Sequence, residues 1–152
     1  RHVREEDGRG REEMMDLLST IGLVDYAELP ASELSIGQRR LLALGRAMAM
    51  RPKLLLLDEP AAGLSPYNVD NMMRIVMELR DRYGLTVVII EHILRVVMGV
   101  CERVTVLDYG QKISEGTPDQ VKEDPVVVEA YLGQEIKDTE VHSDLKSKAE
   151  VV

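Results

Sequence analysis

The sequence predicts an α/β domain built on a mainly parallel sheet, and three observations carry that reading. Two short apolar runs, "LLLL" at 54–57 and "TVVII" at 86–90, show no alternation, as expected of strands covered on both faces. Amphipathic helical segments separate and flank these runs, and strand–helix–strand–helix order is that of a parallel sheet. Finally, 45% of the 152 residues are hydrophobic, enough to build a core. That core lacks Trp and Phe, so Leu, Val, Ile, Met and Ala must fill it.

Residues 1–11, "RHVREEDGRGR", are charged and carry two glycines, and read as a loop or frayed terminus. "EEMMDLLSTIGLVDYA" then places Met14, Leu17, Leu18 and Ile21 at helical spacing, with Gly22 as its stop. "ELPAS" is a connector. "SIGQRRLLALGRAMAMRP" predicts a helix that begins near Ser35 and ends before Pro52. The "LLLL" strand leads into "DEP". In "NVDNMMRIVMELRDRYG", Met72, Ile75, Val76 and Leu79 share one helical face and Gly84 closes the helix. "LTVVIIEH" is the second buried strand, and "ILRVVMGVCE" follows as helix. "RVTVLDYGQKISEG" alternates on either side of "DYGQ", the pattern of a β-hairpin. "TPDQVKED" and "PVVVEAYLG" predict short helices, the second with Pro at its first position. From Gln134 onward the chain is polar and charged and reads as a tail. No internal repeat is evident.

Composition narrows the function classes. A net charge of −8 argues against a nucleic-acid surface and against charge-driven binding to anionic lipid. Cys101 is the single cysteine, so no disulfide forms within the chain, and a reducing compartment fits best. No apolar run approaches the length that spans a bilayer.

Three places could carry chemistry. Ser35 is a good helix N-cap, which is the usual meaning of such a serine. Gly37, however, sits in the first turn, where glycine costs stability relative to alanine. A missing side chain there makes sense if another group must approach the backbone. A helix start carries about +0.5 of an elementary charge and free N–H groups, which together seat phosphate. Asp58 and Glu59 follow the "LLLL" strand, at the carboxyl edge where open α/β sheets bind ligands. One of the two could hold a hard cation such as Mg²⁺, and the other could accept a proton from water. A solvated acidic pair before a proline turn is the plain alternative. His92 ends the second strand and should reach the same edge. Taken alone it would be read as a histidine satisfied by a backbone carbonyl. His2 and His142 lie in poor contexts and receive no role.

Taken together and in order, these stretches resemble the ATP-binding-cassette ATPases. "LSIGQ" (34–38) is similar to the family's signature motif and "LLLLDEP" (54–60) to its Walker B strand with the following glutamate. "AAGLS" (61–65) takes the D-loop position, and His92 matches the switch histidine. The resemblance runs from about Glu12 to Gly133. "DEPAAGLSP", "IIEH", "EGTPDQV" and "EAYLG" are most similar to the ATPases of branched-chain amino acid importers.

The resemblance implies a RecA-like P-loop NTPase core at residues 51–133, preceded at 1–50 by the end of a helical subdomain and followed at 134–152 by the tail. It implies that two such domains, alike or related, pair head to tail and trap ATP between them. Ser35 and Gly37 would contact ATP held by the partner, with Gln38 supporting the loop. Asp58 would hold Mg²⁺, Glu59 would polarise the attacking water, and His92 would contact the γ-phosphate. Ser65 stands where the family usually has Asp or Asn, and Ile36 replaces a common glycine. At least one of Arg39 and Arg40 is read as a solvated surface charge. The implied setting is the cytoplasmic face of the cell membrane, against permease subunits and away from nucleic acid.

One family feature is missing. No G-x-x-x-x-G-K-[ST] occurs, so the chain has no P-loop. The expectation is therefore that it is the C-terminal part of a longer cassette and neither binds MgATP tightly nor hydrolyses it alone. Lipopolysaccharide export is the alternative transport role. A non-transport family member and a catalytically dead interaction domain are the alternatives outside transport.

Overall fold

The computed structural model describes the backbone of residues 2–130 and the side chains of residues 10–130. The expected polar tail, and the last residues of "EAYLG", lie outside the described residues. The chain divides into two compact units, residues 1–96 and a second that begins at Val97.

The first unit opens on α1 (His2–Thr20). Residues 2–11 are thus helical, not a loop. Their arginines and glutamates are good helix formers, and the helix carries the two glycines at modest cost. Gly22 stops α1 in the left-handed conformation, φ 72°. Leu23 N–H donates to Leu18 O and Gly22 N–H to Ser19 O, a Schellman closure. Two single-turn 3₁₀ segments (Val24–Tyr26, Ala31–Glu33) lead to α2 (Ile36–Ala49). The contact between α1 and α2 is close: a Cβ on Gly45 would lie 2.7 Å from Ile21 Cδ1.

Next come β1 (Leu54–Asp58), α3 (Pro66–Tyr83) and β2 (Thr86–Ile90). α3 buries Met72, Ile75, Val76 and Leu79, the face its spacing predicts, and ends at left-handed Gly84. β1 and β2 pair in parallel, from Leu54 opposite Thr86 to Asp58 opposite Ile90. The expectation that the four-leucine strand is covered on both faces does not hold. Leu55 is 5% exposed, whereas Leu56 is 67% exposed. Leu54, Val88 and Ile90 are also exposed, so alternate residues of the pair form an open apolar face. Periodicity reports which residues are apolar. What covers them is a tertiary matter, and nothing in this chain's described residues covers that face.

α4 (Leu94–Val100) spans the boundary between the units. The second unit holds an antiparallel hairpin, β3 (Val104–Asp108) and β4 (Gln111–Gly116). Tyr109 and Gly110 both have positive φ, as a two-residue type I′ turn requires. α5 (Pro118–Glu123) starts on a Thr117–Gln120 capping box. A further helix, α6 (125–130), follows Asp124, whose carboxylate accepts the Val126 N–H. Val104, Val106, Val121 and Val127 form this unit's core. Among the described residues no helix is long and apolar enough to cross a membrane.

Candidate functional site

Ser35 takes the extended conformation of an N-cap (φ −63°, ψ 166°). Gln38 N–H donates to Ser35 Oγ at 3.3 Å, and Ser35 N–H donates to Gln38 Oε1 at 2.9 Å. Gln38 therefore supports the start of α2 by completing a capping box. The bonding leaves the serine hydroxyl proton free to donate elsewhere. The end is exposed rather than packed inside: Ile36 is 60% exposed. No acidic residue stands in the first turn to neutralise the helix dipole. Gly37 faces the start of α3. A Cβ there would meet Asn68 Nδ2 at 3.7 Å and Leu64 Cδ2 at 3.8 Å, ordinary contacts, so the chain's own packing does not demand glycine. Ser65, expected at the D-loop position, is an N-cap whose hydroxyl accepts the Asn68 N–H of α3.

The acidic pair and the histidine meet at one end of the β1–β2 pair. Asp58 is the last residue of β1, opposite Ile90. Glu59 extends the ladder by one bond, its N–H donating to Ile90 O at 2.9 Å. Two residues past Ile90, His92 Nδ1 lies 3.5 Å from Glu59 Oε1, and both side chains are more than half exposed. Glu59 has φ 44°, a left-handed conformation that costs a non-glycine residue about 1–3 kcal/mol and persists only where surroundings enforce it.

Two residues given no role in this loop from sequence hold it. Glu91 Oε1 accepts the Ala61 N–H at 2.8 Å. Its other oxygen, Oε2, is buried without a hydrogen-bond partner among the described residues. Arg40, expected among residues that could be plain solvated charge, donates to Pro60 O at 2.6 Å and Glu59 O at 3.2 Å. Arg39 likewise donates to Leu34 O. Neither guanidinium is merely solvated, because the helix start and the acidic loop offer carbonyls within reach. The adjacency of Glu91 to His92 was the one sequence hint toward the first residue, and the reach of Arg40 over nineteen residues left none.

A single carboxylate such as Asp58 fits a hard cation that brings further oxygen ligands with it. Among the described residues no three potential ligands cluster. Asp58 offers one exposed carboxylate, and Mg²⁺ commonly takes one or two carboxylates alongside phosphate oxygens and water. The bare, exposed start of α2 has the polarity for phosphate.

Residues 1–62 match the family described as ABC transporter, and residues 111–137 match the family described as branched-chain amino acid ATP-binding cassette transporter. The chain is 38% identical over 130 residues to the high-affinity branched-chain amino acid transport ATP-binding protein LivG of Escherichia coli (strain K12), covering 83% of this chain and 51% of that protein. It is 37% identical over 127 residues to the lipopolysaccharide export system ATP-binding protein LptB of Acidithiobacillus ferridurans, covering 84% of this chain and 52% of that one. Among solved structures, the ADP conformation of MJ1267, an ATP-binding cassette of an ABC transporter, superposes with a TM-score of 0.74 at 36% identity, over 82% of this chain and 50% of that one. The chain thus spans about half the length of the relatives it matches.

Proposed function

Because the chain belongs to the ATP-binding-cassette family of transporter ATPases, we propose that it supplies the signature helix and the acid–imidazole pair of a subunit that hydrolyses ATP to drive solute import. The observation that carries this reading is the meeting of Glu59 and His92, 3.5 Å apart at the sheet's end, in a chain whose Ser35-capped helix start faces outward.

In this reading Glu59 accepts the proton of the attacking water and His92 orients that water and the γ-phosphate. Asp58 holds the nucleotide's Mg²⁺, which when bound neutralises charge on the transferring phosphoryl group. Ser35 and Gly37 present a hydroxyl donor and bare backbone to ATP held by a second ATPase subunit, with Gln38 keeping the turn in place. Ser65 fills the D-loop position. Residues 1–50 belong to a helical subdomain and 51–133 to the RecA-like core. The P-loop comes from polypeptide outside this chain, so the 152 residues alone bind MgATP weakly and do not turn it over. The partners are a second ATPase subunit and permease subunits at the cytoplasmic face of the membrane.

Branched-chain amino acids are the favoured cargo, because the matched segment 111–137 carries that family's pattern. Lipopolysaccharide export is the second reading, supported by the similarity to LptB. Transport assays on the assembled complex separate the two. The catalytic assignment is tested in the full-length ATPase with Glu59→Gln, which should lower phosphate release by about 10²–10⁴-fold while MgATP-dependent pairing of subunits survives. Unchanged release would refute Glu59 as the base.

A further inference from the structure

One arginine joins two parts of the site that the proposed reading assigns to different nucleotides. Arg40 lies on α2, five residues beyond Ser35, and is half-buried. Its Nη1 donates to both Glu59 O and Pro60 O, nineteen and twenty residues away in sequence. The Glu59 main chain is held from three directions. Its N–H is tied to Ile90 O, and its carbonyl accepts the Ala62 N–H at 3.1 Å and the Arg40 guanidinium. That peptide carries the left-handed φ of 44°, a conformation uncommon for residues other than glycine. The Ile90 bond fixes where the turn begins, and the Ala62 bond closes it. The Arg40 bonds attach it to α2, as the Ile90 bond attaches it to β2. Arg40, Glu59 and Pro60 also line a cavity of about 410 Å³ between α2 and the Leu55–Asp58 stretch of β1.

We infer that Arg40 is a positioning residue: it enforces the backbone geometry that aims Glu59 at His92, and it ties that geometry to the helix that starts at Ser35. The inference rests on the proposed reading of Glu59. Its consequence is that displacing the start of α2 moves the Glu59 peptide, so the helix end serving one nucleotide and the acid serving the other shift as one piece. A lysine at position 40 keeps a charged donor but lacks the rigid, pre-organised guanidinium plane, so it should hold the two carbonyls less firmly.

The test uses Arg40→Met and Arg40→Lys. In the 152-residue chain, amide hydrogen exchange at Ala62 should quicken about tenfold in Arg40→Met while Leu57 and Val88 keep their protection, as local rather than global opening requires. Arg40→Lys should fall between the methionine variant and the parent. In the full-length ATPase, Arg40→Met should lower kcat about tenfold with KM for MgATP within about twofold, the pattern of an interaction that matters only in the transition state. Arg40→Lys should recover part of that loss, and it supplies the reading if the methionine variant does not fold. Ala62 exchange unchanged in the folded variants, or kcat and KM falling in step without rescue by lysine, would overturn the inference. Glu59→Gln run in parallel separates the two claims. If it abolishes turnover while the Arg40 variants behave as the parent, the positioning role alone fails. If it leaves turnover intact, the catalytic reading fails and this inference with it.

Discussion

Leu55 and Leu56 are neighbours in a run of four identical residues, yet their truncation should have very different effects. Leu55 is 5% exposed. Replacing a leucine so buried with alanine removes its transfer free energy and leaves a cavity, together about 2–5 kcal/mol. Leu56 is 67% exposed, so only about a third of its side chain leaves water on folding. Full burial of such a side chain is worth about 1.5–3 kcal/mol, so Leu56→Ala should cost about 0.5–1 kcal/mol, with no cavity to add. Any difference in strand propensity between Leu and Ala applies to both sites and cancels in the comparison. Urea unfolding of the 152-residue chain, followed by circular dichroism, reads the contrast directly. With m near 2 kcal/mol/M, Leu55→Ala should lower the midpoint by about 1–2.5 M and Leu56→Ala by under about 0.5 M. Equal shifts would refute the reasoning, because they would mean that something covers the Leu56 face in solution.

Two further outcomes follow from the caps and the titrating groups. Ser35→Ala removes the oxygen that accepts the Gln38 N–H but leaves the Gln38 side chain on the residue 35 N–H; thermal unfolding should register a loss of about 0.5–2 kcal/mol, and no loss would show that the 3.3 Å bond carries no weight. In the second unit, the Ser114 hydroxyl and then the Val126 N–H hold the Asp124 carboxyl below its ordinary range. A depressed carboxylate stabilises the fold above its unfolded pKa and loses that contribution as pH falls through the folded one. Protection of α5 should therefore decline only on acidification below the usual aspartate range. Ser114→Ala should raise the Asp124 midpoint in an NMR titration, and a midpoint that stays put would contradict the assigned cause.

Much of the site was legible because its signals are local. Ser35 and Gln38 three residues on announce a capping box, and Gly84 after an amphipathic run announces a helix end. The shared sheet edge of Asp58, Glu59 and His92 followed from parallel-strand order alone, and the register bears it out. What escaped was non-local or carried by long side chains. Arg40 reaches carbonyls across nineteen residues of sequence, and no periodicity encodes that reach. The covering of β1 depends on what packs against it, which an apolar run cannot specify. The amino-terminal helix was missed because its charges and glycines suggested a loop, although arginine and glutamate favour helix.

The parallel register described above also acts as a ruler. Five rungs pair Leu54 with Thr86 through Asp58 with Ile90, and the imidazole lies two residues past the last. A slip of one residue would carry His92 about 3.3 Å along the strand and turn it to the opposite side. The spacing between acid and imidazole is thus a length standard kept by the five rungs of this ladder. The count of residues along these two strands therefore sets where the acid and the imidazole meet.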